Sequence, residues 1–401
     1  MKLVFMLCVS ICLFAGEVKN GLVPQGKPMT LELKQNLVIN ADSGEDAYIW
    51  GGVIAFDADK EGNIFVGDAQ NVRVLKFDKN GKYIKTIASK GAGPGEILAV
   101  TGVGCLDDGR LAVFQMLQGT INCSIHLFDH EGKFIEVKQT PSLRFMNVQK
   151  FGRQGKYISG MLIDFDGATG GMKFNPAVVD YNLQIIHETG AVDRGVPDWA
   201  NAGQPSFWGD FLGNNIRAAL KIGIVGLGED GTIYTIPNRK YEISCFKADE
   251  KTPFLKISKE YKPIPQSEEE ILAAVEPIKD SILRQMPAEG RSLITAKVVE
   301  EALKIAEFPS VKPPVYGFIS LGTDGFLIIR DINMLKSYIE FDIFSLEGKF
   351  LGDFKWDWSV ADVGQAASSF LARDGQFYYV GFNENEEPQL TRYAYKLVPA
   401  K

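Results

Sequence analysis

Histidine, clustered cysteine and recognisable catalytic motifs are scarce in this sequence. Its 401 residues include three histidines, and no HExxH or CxxC pattern occurs. Zinc sites use clustered histidine, cysteine and carboxylate ligands, so we expect no zinc centre. GxSxG, the nucleophile elbow of serine hydrolases, is also missing. The glycine-rich segment at 91–96 lacks the Lys-Ser/Thr of a phosphate-binding loop.

Positive charge is in deficit as well. Lys plus Arg is 43 against 50 Asp plus Glu, which gives a formal net charge of −7. An acidic chain lacks the basic footprint that neutralises phosphates, so we expect no nucleic-acid partner. Hydrophobic residues make up 45% of the chain, which is enough to fill a core and excludes a disordered protein.

Long apolar runs are absent after the N-terminus. Lys2 is followed by a run at 3–15 that is apolar apart from Ser10. This run is too short to span a bilayer as a helix and has the length of a secretory signal. We predict a signal peptide at 1–16, export to the periplasm or outside the cell, and no transmembrane segment in the mature chain. A lipid anchor is not expected, because Cys8 and Cys12 follow large residues.

Three cysteines remain after the predicted cleavage: Cys105, Cys123 and Cys245. An odd number leaves at least one unpaired. We interpret them as small buried side chains in strands. A disulfide between Cys105 and Cys123 is the alternative for an exported protein.

A β-rich repeat runs through the chain. Each copy has two strand-like stretches around a turn glycine and then a third stretch with an aromatic residue and an acid. The copies lie at 53–87, 103–137, 148–186, 224–257, 318–354 and 369–398, with turn glycines at 62, 109, 155, 231, 325 and 375. Such glycines suit tight turns at positive φ. Three of the glycine spacings have the length of a four-stranded blade, so the repeat predicts an all-β, six-bladed β-propeller over 30–398.

The alternating segment 31–39 precedes the first copy and has no partner of its own. We expect it to close the ring as the outer strand of the last blade, which would remove an open sheet edge.

Several segments carry a resemblance to a known family. Residues 91–96 (GAGPGE) and 68–78, with Asp68, Asn71 and Arg73, are similar to segments of NHL-repeat propellers. Over roughly 30–398 the chain resembles exported bacterial 6-bladed beta-propeller proteins. Features of that family matched here are Tyr241-Glu-Ile243, Lys262-Pro-Ile-Pro265 and Ser267-Glu-Glu-Glu270. The resemblance implies the fold, but a propeller scaffold does not define an activity.

Two insertions interrupt the repeat. Residues 259–310 have helical spacing, with a capping box at Ser267 and Glu270, a Pro277 that should kink or split the first helix, and a second helix at about 293–308. Residues 190–216 are rich in glycine and asparagine and suggest an irregular loop. Aromatic rings on such a loop can bind a ligand, and those present are Trp199, Phe207, Trp208 and Phe211.

Cationic residues near predicted strand ends are a second kind of candidate. Arg217 and Arg330 flank the insertions and would attract an anionic ligand. The interpretation we favour is a non-enzymatic binding scaffold for a protein, peptide or glycan, without a cofactor. The alternative is a metal-dependent hydrolase or lyase, lactonase-like, with a divalent ion such as Ca²⁺ at the central channel. Its conceivable ligands are Asp57, Asn147 and Asp331.

Overall fold

A computed structural model describes most of the chain: residues 16–51, 53–116, 123–140, 143–237, 240–285, 291–357, 370–383, 385 and 387–401. Residues 1–15 of the predicted signal peptide lie outside the described residues. Within the described ranges no helix is long and apolar enough to cross a membrane.

Strands dominate the described chain, as the repeat predicts. In chain order they are β1 (Gly16–Asn20), β2 (Met29–Ile39), β3 (Val53–Ala58), β4 (Ile64–Asp68), β5 (Arg73–Phe77), β6 (Tyr83–Ala88), β7 (Gly102–Cys105), β8 (Leu111–Met116), β9 (Cys123–Phe128), β10 (Phe134–Thr140), β11 (Phe145–Phe151), β12 (Tyr157–Phe165), β13 (Met172–Asp180), β14 (Ile185–Glu188), β15 (Val192–Asp193), β16 (Ile224–Leu227), β17 (Ile233–Ile236), β18 (Glu242–Phe246), β19 (Leu255–Lys259), β20 (Gly317–Ser320), β21 (Phe326–Asn333), β22 (Tyr338–Phe344), β23 (Phe350–Asp357), β24 (Phe370–Arg373), β25 (Gln376–Phe382) and β26 (Pro388–Pro399).

Most strands pair antiparallel with their neighbours in the sequence. The sheets are β3–β6, β7–β10, β11–β14 with β15 beside β13, and β16–β19 with β1 added in parallel to β19. The remaining strands form an eight-stranded sheet in the order β20-β21-β22-β23-β2-β26-β25-β24. Its two halves meet at one parallel pair, Met29 with Gly352.

Strand β2 pairs antiparallel with β26, from Met29 opposite Pro399 to Ile39 opposite Leu390. It lies on the side of β26 away from β25 and β24, so the N-terminal segment forms the outer strand beside the C-terminal hairpin. The repeat gave no signal for β1, whose Asn20 donates to the carbonyl of Gly348 at 3.0 Å and accepts from the amide of Phe350 at 2.8 Å.

The hydrophobic core lies between successive sheets. The first strand of each repeat copy contacts the first strand of the next copy. These strands are, in order, β3, β7, β11, β16, β20 and β24. Aromatic pairs lie across these interfaces, with ring centroids 5.9 Å apart for Phe114–Phe145 and 4.6 Å apart for Tyr234–Phe318. Phe56 in β3 and Tyr378 in β25, 6.4 Å apart, join the first copy to the last. Burial between neighbouring sheets is the main stabilising contribution of this arrangement.

The turn glycines have the backbone conformation that the repeat predicts. All six have positive φ, between 66° at Gly155 and 117° at Gly325. At Gly325 a Cβ would lie 1.9 Å from the carbonyl oxygen of Phe344, so a side chain is excluded by sterics as well as by φ.

A polar network ties the turn between β4 and β5. The Asp68 carboxylate accepts from the Asn71 side chain at 2.7 Å and from Arg73 Nε at 3.1 Å. Arg73 also donates to the carbonyl oxygens of Asp46 and Ile49 at 2.9 Å each. Arg73 therefore pairs with Asp68 and secures the segment between β2 and β3.

The described helices are α1 (Pro205–Ala219), α2 (Glu268–Gln285) and α3 (Ala296–Ala306). The predicted capping box is present, because Ser267 Oγ accepts from the Glu270 amide at 3.2 Å and the Glu270 carboxylate accepts from the Ser267 amide at 3.0 Å. Of the two predicted effects of Pro277, a kink or a split, the split does not occur, because α2 is one continuous helix over Glu268–Gln285.

The cysteines are free and buried at positions 105, 123 and 245. The alternative disulfide between Cys105 and Cys123 is therefore wrong. Cys105 ends β7 and Cys123 begins β9, which is separated from β7 in the sheet by β8. Each packs as a small side chain in a hydrophobic cluster.

Candidate functional site

The aromatic segment predicted as an irregular loop is mostly helical. A short 3₁₀ turn, Trp199–Asn201, precedes α1, which begins at Pro205. Proline is favoured in the first helical turn because its missing N–H has no intrahelical partner there. The glycines that suggested a loop instead face another helix. A Cβ on Gly213 would lie 2.6 Å from the Cβ of Ile305 in α3.

Helix α1 and the 3₁₀ turn bring the four predicted aromatic residues together. Trp199 lies 5.2 Å from Phe207 and 5.6 Å from Phe211 between ring centroids. Phe207 and Trp208 meet edge to face at 5.0 Å. Phe207 is buried, whereas Trp199 is 53% exposed. Trp199 therefore offers an open ring, and Phe207 supports it.

A cavity of about 380 Å³ opens beside these rings. We call it the α1 pocket. Its volume falls in the range of small-ligand sites. Polar side chains provide most of the lining: the residues are Arg194, Val196, Pro197, Asp198, Asn201, Gln204, Ser206, Phe207, Asp210, Phe211, Asn214 and Asn215.

Arg194 is the unusual residue of the α1 pocket. It is 8% exposed, and its guanidinium carbon lies 5.2 Å from the centre of the Phe211 ring. Nη1 reaches Asn215 Oδ1 at 3.5 Å, while Nε and Nη2 are buried without a hydrogen-bond partner among the described residues. Burial lowers the pKa of this arginine, because desolvation disfavours the charged form. Sequence reasoning missed Arg194, which directly follows β15 and belongs to no motif.

Trp208 and Arg217 are committed to contacts within this region. Trp208 Nε1 donates to the carbonyl oxygen of Ala202 at 2.9 Å. Arg217 Nη2 donates to Asn214 Oδ1. Neither side chain lines the α1 pocket. Of the predicted set, Phe207 and Phe211 line it, and Trp199 is linked to it through its ring contacts with these two.

Arg330 lines a different cavity, of about 450 Å³. The lining consists of Leu22, Val23, Lys259, Tyr261, Lys262, Ile264, Lys312, Pro313, Pro314, Arg330 and Glu340. Arg330 donates to Glu340, and its Nε lies 3.7 Å from Asp342 Oδ1. The structure therefore places Arg330 and the aromatic residues at separate sites.

The buried cations of this second cavity are neutralised by the protein. Lys259 Nζ lies 3.3 Å from Asp342 Oδ2. Lys312 Nζ lies 2.9 Å from Asp331 Oδ1 and 2.8 Å from Glu270 Oε1. Because each cation already has a carboxylate, this cavity favours a structural ion-pair network over an anion site.

A third cluster lies where the turns between the first two strands of several sheets converge. Its members share one position in the repeat, two residues before the turn glycine: Asp107, Arg153, Glu229 and Arg373 all line a cavity of about 240 Å³. Arg153 Nε lies 3.5 Å from Asp107 Oδ1, and Arg373 Nη1 lies 3.9 Å from Glu229 Oε2.

Charge compensation continues deeper in this central cluster. Lys150 Nζ lies 2.7 Å from Glu229 Oε1. Burial opposes ionisation of Glu229, but Lys150 and Arg373 outweigh it and hold its pKa below the usual value. The cluster therefore fastens the sheets to one another at the centre.

The conceivable divalent-ion ligands do not form one site. Asp57 is ion-paired with Arg373, and Asp331 with Lys312. Asn147 lies in β11 with a positive φ of 48°. Within the described ranges, no group of three His, Cys, Asp or Glu side chains is arranged to hold a metal ion.

Comparisons with known proteins concern the fold. Residues 57–150 match a family described as "6-bladed beta-propeller". A solved structure of a member of the duf4221 family from Bacteroides vulgatus has a TM-score of 0.50 and 11% identity, covering 92% of this chain and 99% of that chain. No curated protein matches the sequence.

Two further solved structures are similar at a lower level. Aldose sugar dehydrogenase from Streptomyces coelicolor has a TM-score of 0.41 and 8% identity, covering 93% of this chain and 100% of that chain. A protein of unknown function from Bacteroides caccae has a TM-score of 0.37 and 12% identity, covering 82% and 94%. Together with its strand content, the family match identifies the chain as an all-β protein with a β-propeller fold.

Proposed function

We propose that this protein is an exported six-bladed β-propeller that acts as a non-enzymatic binding protein, and that its ligand is a glycan held in the α1 pocket. Three observations support the six blades: the repeated antiparallel sheets, the outer position of β2 beside β26, and the Phe56–Tyr378 contact between the first and last copies. Export is supported by the apolar run at 3–15 after Lys2.

The composition of the α1 pocket carries the proposal. The lining combines amide, hydroxyl and carboxylate side chains with Phe207 and Phe211, and the exposed indole of Trp199 packs on these two rings. Sugars present apolar C–H faces that stack on aromatic rings, and hydroxyls that pair with amides and carboxylates. Asn201, Gln204 and Asp210 supply such partners in the lining.

The size of the cavity favours a glycan over a folded protein. A folded protein binds across an extended surface of about 800 Å² on each partner, whereas a concave cavity of about 380 Å³ has the size of a small-ligand site. One or two sugar rings fit a cavity of this size.

The lactonase-like alternative receives less support from the centre of the propeller. Such a site needs carboxylate or amide oxygens that are free to bind an ion. Asp57 accepts from Arg373 Nη2 and from the Cys105 amide at 2.8 Å each. Its oxygens are therefore engaged within the protein.

The test is direct binding to the chain that begins at Gly16. Oligosaccharides of two to six neutral hexoses, hexosamines or hexuronic acids would be screened by saturation-transfer NMR and titrated by calorimetry. We expect binding of at least one class, and a loss of about tenfold or more in affinity in Trp199→Ala. Phe254→Ala is the matched control, since Phe254 is 41% exposed and lies outside the α1 pocket.

Two results would contradict the proposal. One is the absence of binding by every oligosaccharide class. The other is equal affinity in the wild type and in a correctly folded Trp199→Ala, because the exposed ring would then take no part.

A further inference from the structure

We propose that Arg194 binds a carboxylate of the ligand, so that the glycan held in the α1 pocket contains a uronic acid. This inference rests on the proposed function and specifies the ligand class. It starts from the charge balance of the pocket and from the edge of the guanidinium that is left free.

The positive charge of Arg194 has no counterion among the described residues. The side chain is 8% exposed, and its Nε and Nη2 atoms are buried without hydrogen-bond partners there. Other buried cations of this protein have carboxylate partners: Arg373 has Asp57, and Lys312 has Asp331. A buried charge without a partner is costly, and a bound anion would remove that cost.

The free atoms of Arg194 select a planar anion. Nε–H and the adjacent N–H of Nη2 lie on one edge of the guanidinium, and this edge binds both oxygens of a carboxylate in parallel. Nη1 is engaged by Asn215 at 3.5 Å, and the Phe211 ring covers a face at 5.2 Å. Arg194 thus brings to the lining of the α1 pocket two unpaired donors whose spacing matches the two oxygens of a carboxylate.

The remaining lining favours a single carboxylate over a more highly charged group. Asp198 and Asp210 also line the α1 pocket, and they would repel a phosphate dianion. As acceptors they suit the hydroxyls of a sugar ring. A hexuronic acid satisfies both requirements, because it has one carboxylate for Arg194 and several hydroxyls for the acids and amides.

The experiment compares each uronic acid oligomer with its own methyl ester. Trimers of galacturonate, glucuronate and mannuronate, as free acids and as fully methyl-esterified forms, would be titrated into the chain that begins at Gly16. We expect one free acid to bind about ten- to a hundredfold more tightly than its ester, which keeps the ring and loses the charge.

Substitutions then test the residue. Arg194→Gln should bind acid and ester with equal, weak affinity, and Arg194→Lys should recover part of the preference for the acid. Arg144→Gln is the matched control, because Arg144 also lies over an aromatic ring, that of Phe165 at 4.6 Å, and does not line the α1 pocket. Without ligand, Arg194→Gln should unfold at the wild-type temperature or higher, since an uncompensated charge is removed.

The outcomes separate this inference from the proposed function. If neutral oligomers or methyl esters bind in a way that depends on Trp199 but not on Arg194, the inference that the ligand has a carboxylate is overturned. The proposal that the ligand is a glycan then still stands. A large loss of thermal stability in ligand-free Arg194→Gln would also overturn it, because the arginine would then be structural. Failure of every saccharide, charged or neutral, would overturn both proposals.

Discussion

Asp57 and Arg373 are 316 positions apart in the sequence and form a buried ion pair, with 2.7 Å between Oδ1 and Nε and a hydrogen bond of 2.8 Å from Nη2 to Oδ2. Asp57 also accepts from the amides of Ala58 and Cys105 at 2.8 Å each. One carboxylate thus joins β3 to β7 on one side and to β24 on the other. Burial raises its pKa even though Arg373 opposes the shift.

Breaking this ion pair from one side should be strongly destabilising. Asp57→Asn leaves the buried Arg373 charge with only Glu229 Oε2, at 3.9 Å, as a carboxylate partner, and breaking a buried pair from one side costs about 3–5 kcal/mol. Urea unfolding at neutral pH measures the loss. Asp107→Asn is the control, because the Asp107 side chain is 41% exposed and its loss should cost less than about 1 kcal/mol.

Removing both charges should cost less than removing one. Asp57→Asn combined with Arg373→Met keeps a side-chain acceptor at position 57 and removes the buried arginine charge, so we expect the double variant to be more stable than Asp57→Asn alone. A double variant that is less stable would contradict the view that the unpaired charge dominates the cost.

The packing of α1 on α3 depends on one glycine more than on its neighbour one turn away. A Cβ on Gly213 would lie 2.6 Å from Ile305 Cβ and 2.8 Å from the carbonyl oxygen of Ala302, whereas a Cβ on Gly209 would make an ordinary contact at 3.4 Å with Glu301. We expect Gly213→Ala to destabilise the protein by about 1–3 kcal/mol. Gly209→Ala should be neutral or stabilising by up to about 1 kcal/mol, through helix propensity.

Amide hydrogen exchange in α1 and α3 of the two alanine variants measures the effect at the contact between these helices. Faster exchange in Gly213→Ala alone is the expected result. Equal exchange in both variants would mean that α1 does not rest on α3 through Gly213.

Stability should fall as the solution becomes mildly acidic. Burial lowers the pKa of His187, with Glu188 opposing the shift, and burial also lowers the pKa of His126. The unfolded chain therefore binds protons first, and the free energy of unfolding decreases as pH drops below about 6.5.

His187→Gln should flatten this pH dependence. The unfolded chain would then bind one excess proton, at His126, instead of two. Urea unfolding at pH 7.5, 6.5 and 5.5 gives the slopes. A His187→Gln slope equal to that of the wild type would contradict the assignment.

The three cysteines should be unreactive until the protein unfolds. Burial raises the pKa of Cys123 to about 11 and that of Cys245 to about 12, and it also raises the pKa of Cys105. Since the thiolate is the nucleophile, a thiol reagent at pH 8 should label none of them in the native state and all three in denaturant. Peptide mass spectrometry counts the labels, and labelling of a native cysteine would contradict the burial.

Sequence reasoning identified the strands more completely than the candidate site. Alternation and turn glycines report local geometry, so Gly62 and Gly109 were assigned to turns that the structure contains. Helix α1 was missed because Gly209 and Gly213 suggested a loop. Their spacing of four, together with Phe207 and Phe211, is the pattern of one helix face packed against another.

The sequence contains a signal for the central cluster, namely a charged residue at the same position of several repeat copies. Asp107, Arg153, Glu229 and Arg373 each precede a turn glycine by two residues, and equivalent positions in a repeat meet around a common centre. Arg194 had no such signal. Arg194 lacks a counterion because of the side chains that surround it after folding, and these neighbours come from tertiary contacts that the local sequence does not show.

The position of β2 has a consequence for the order in which the chain can fold. Met29–Ile39 are synthesised about 350 residues before their partners in β26, so at ordinary synthesis rates this strand waits roughly 20–70 s for them. Until then the backbone donors and acceptors of β2 that pair with β26 are unpaired. The first repeat copy also lacks the last copy as its neighbour. The pairing of β2 with β26 therefore cannot form before the end of the chain is made, and a chain that stops short of β26 leaves an open edge that can pair with another molecule.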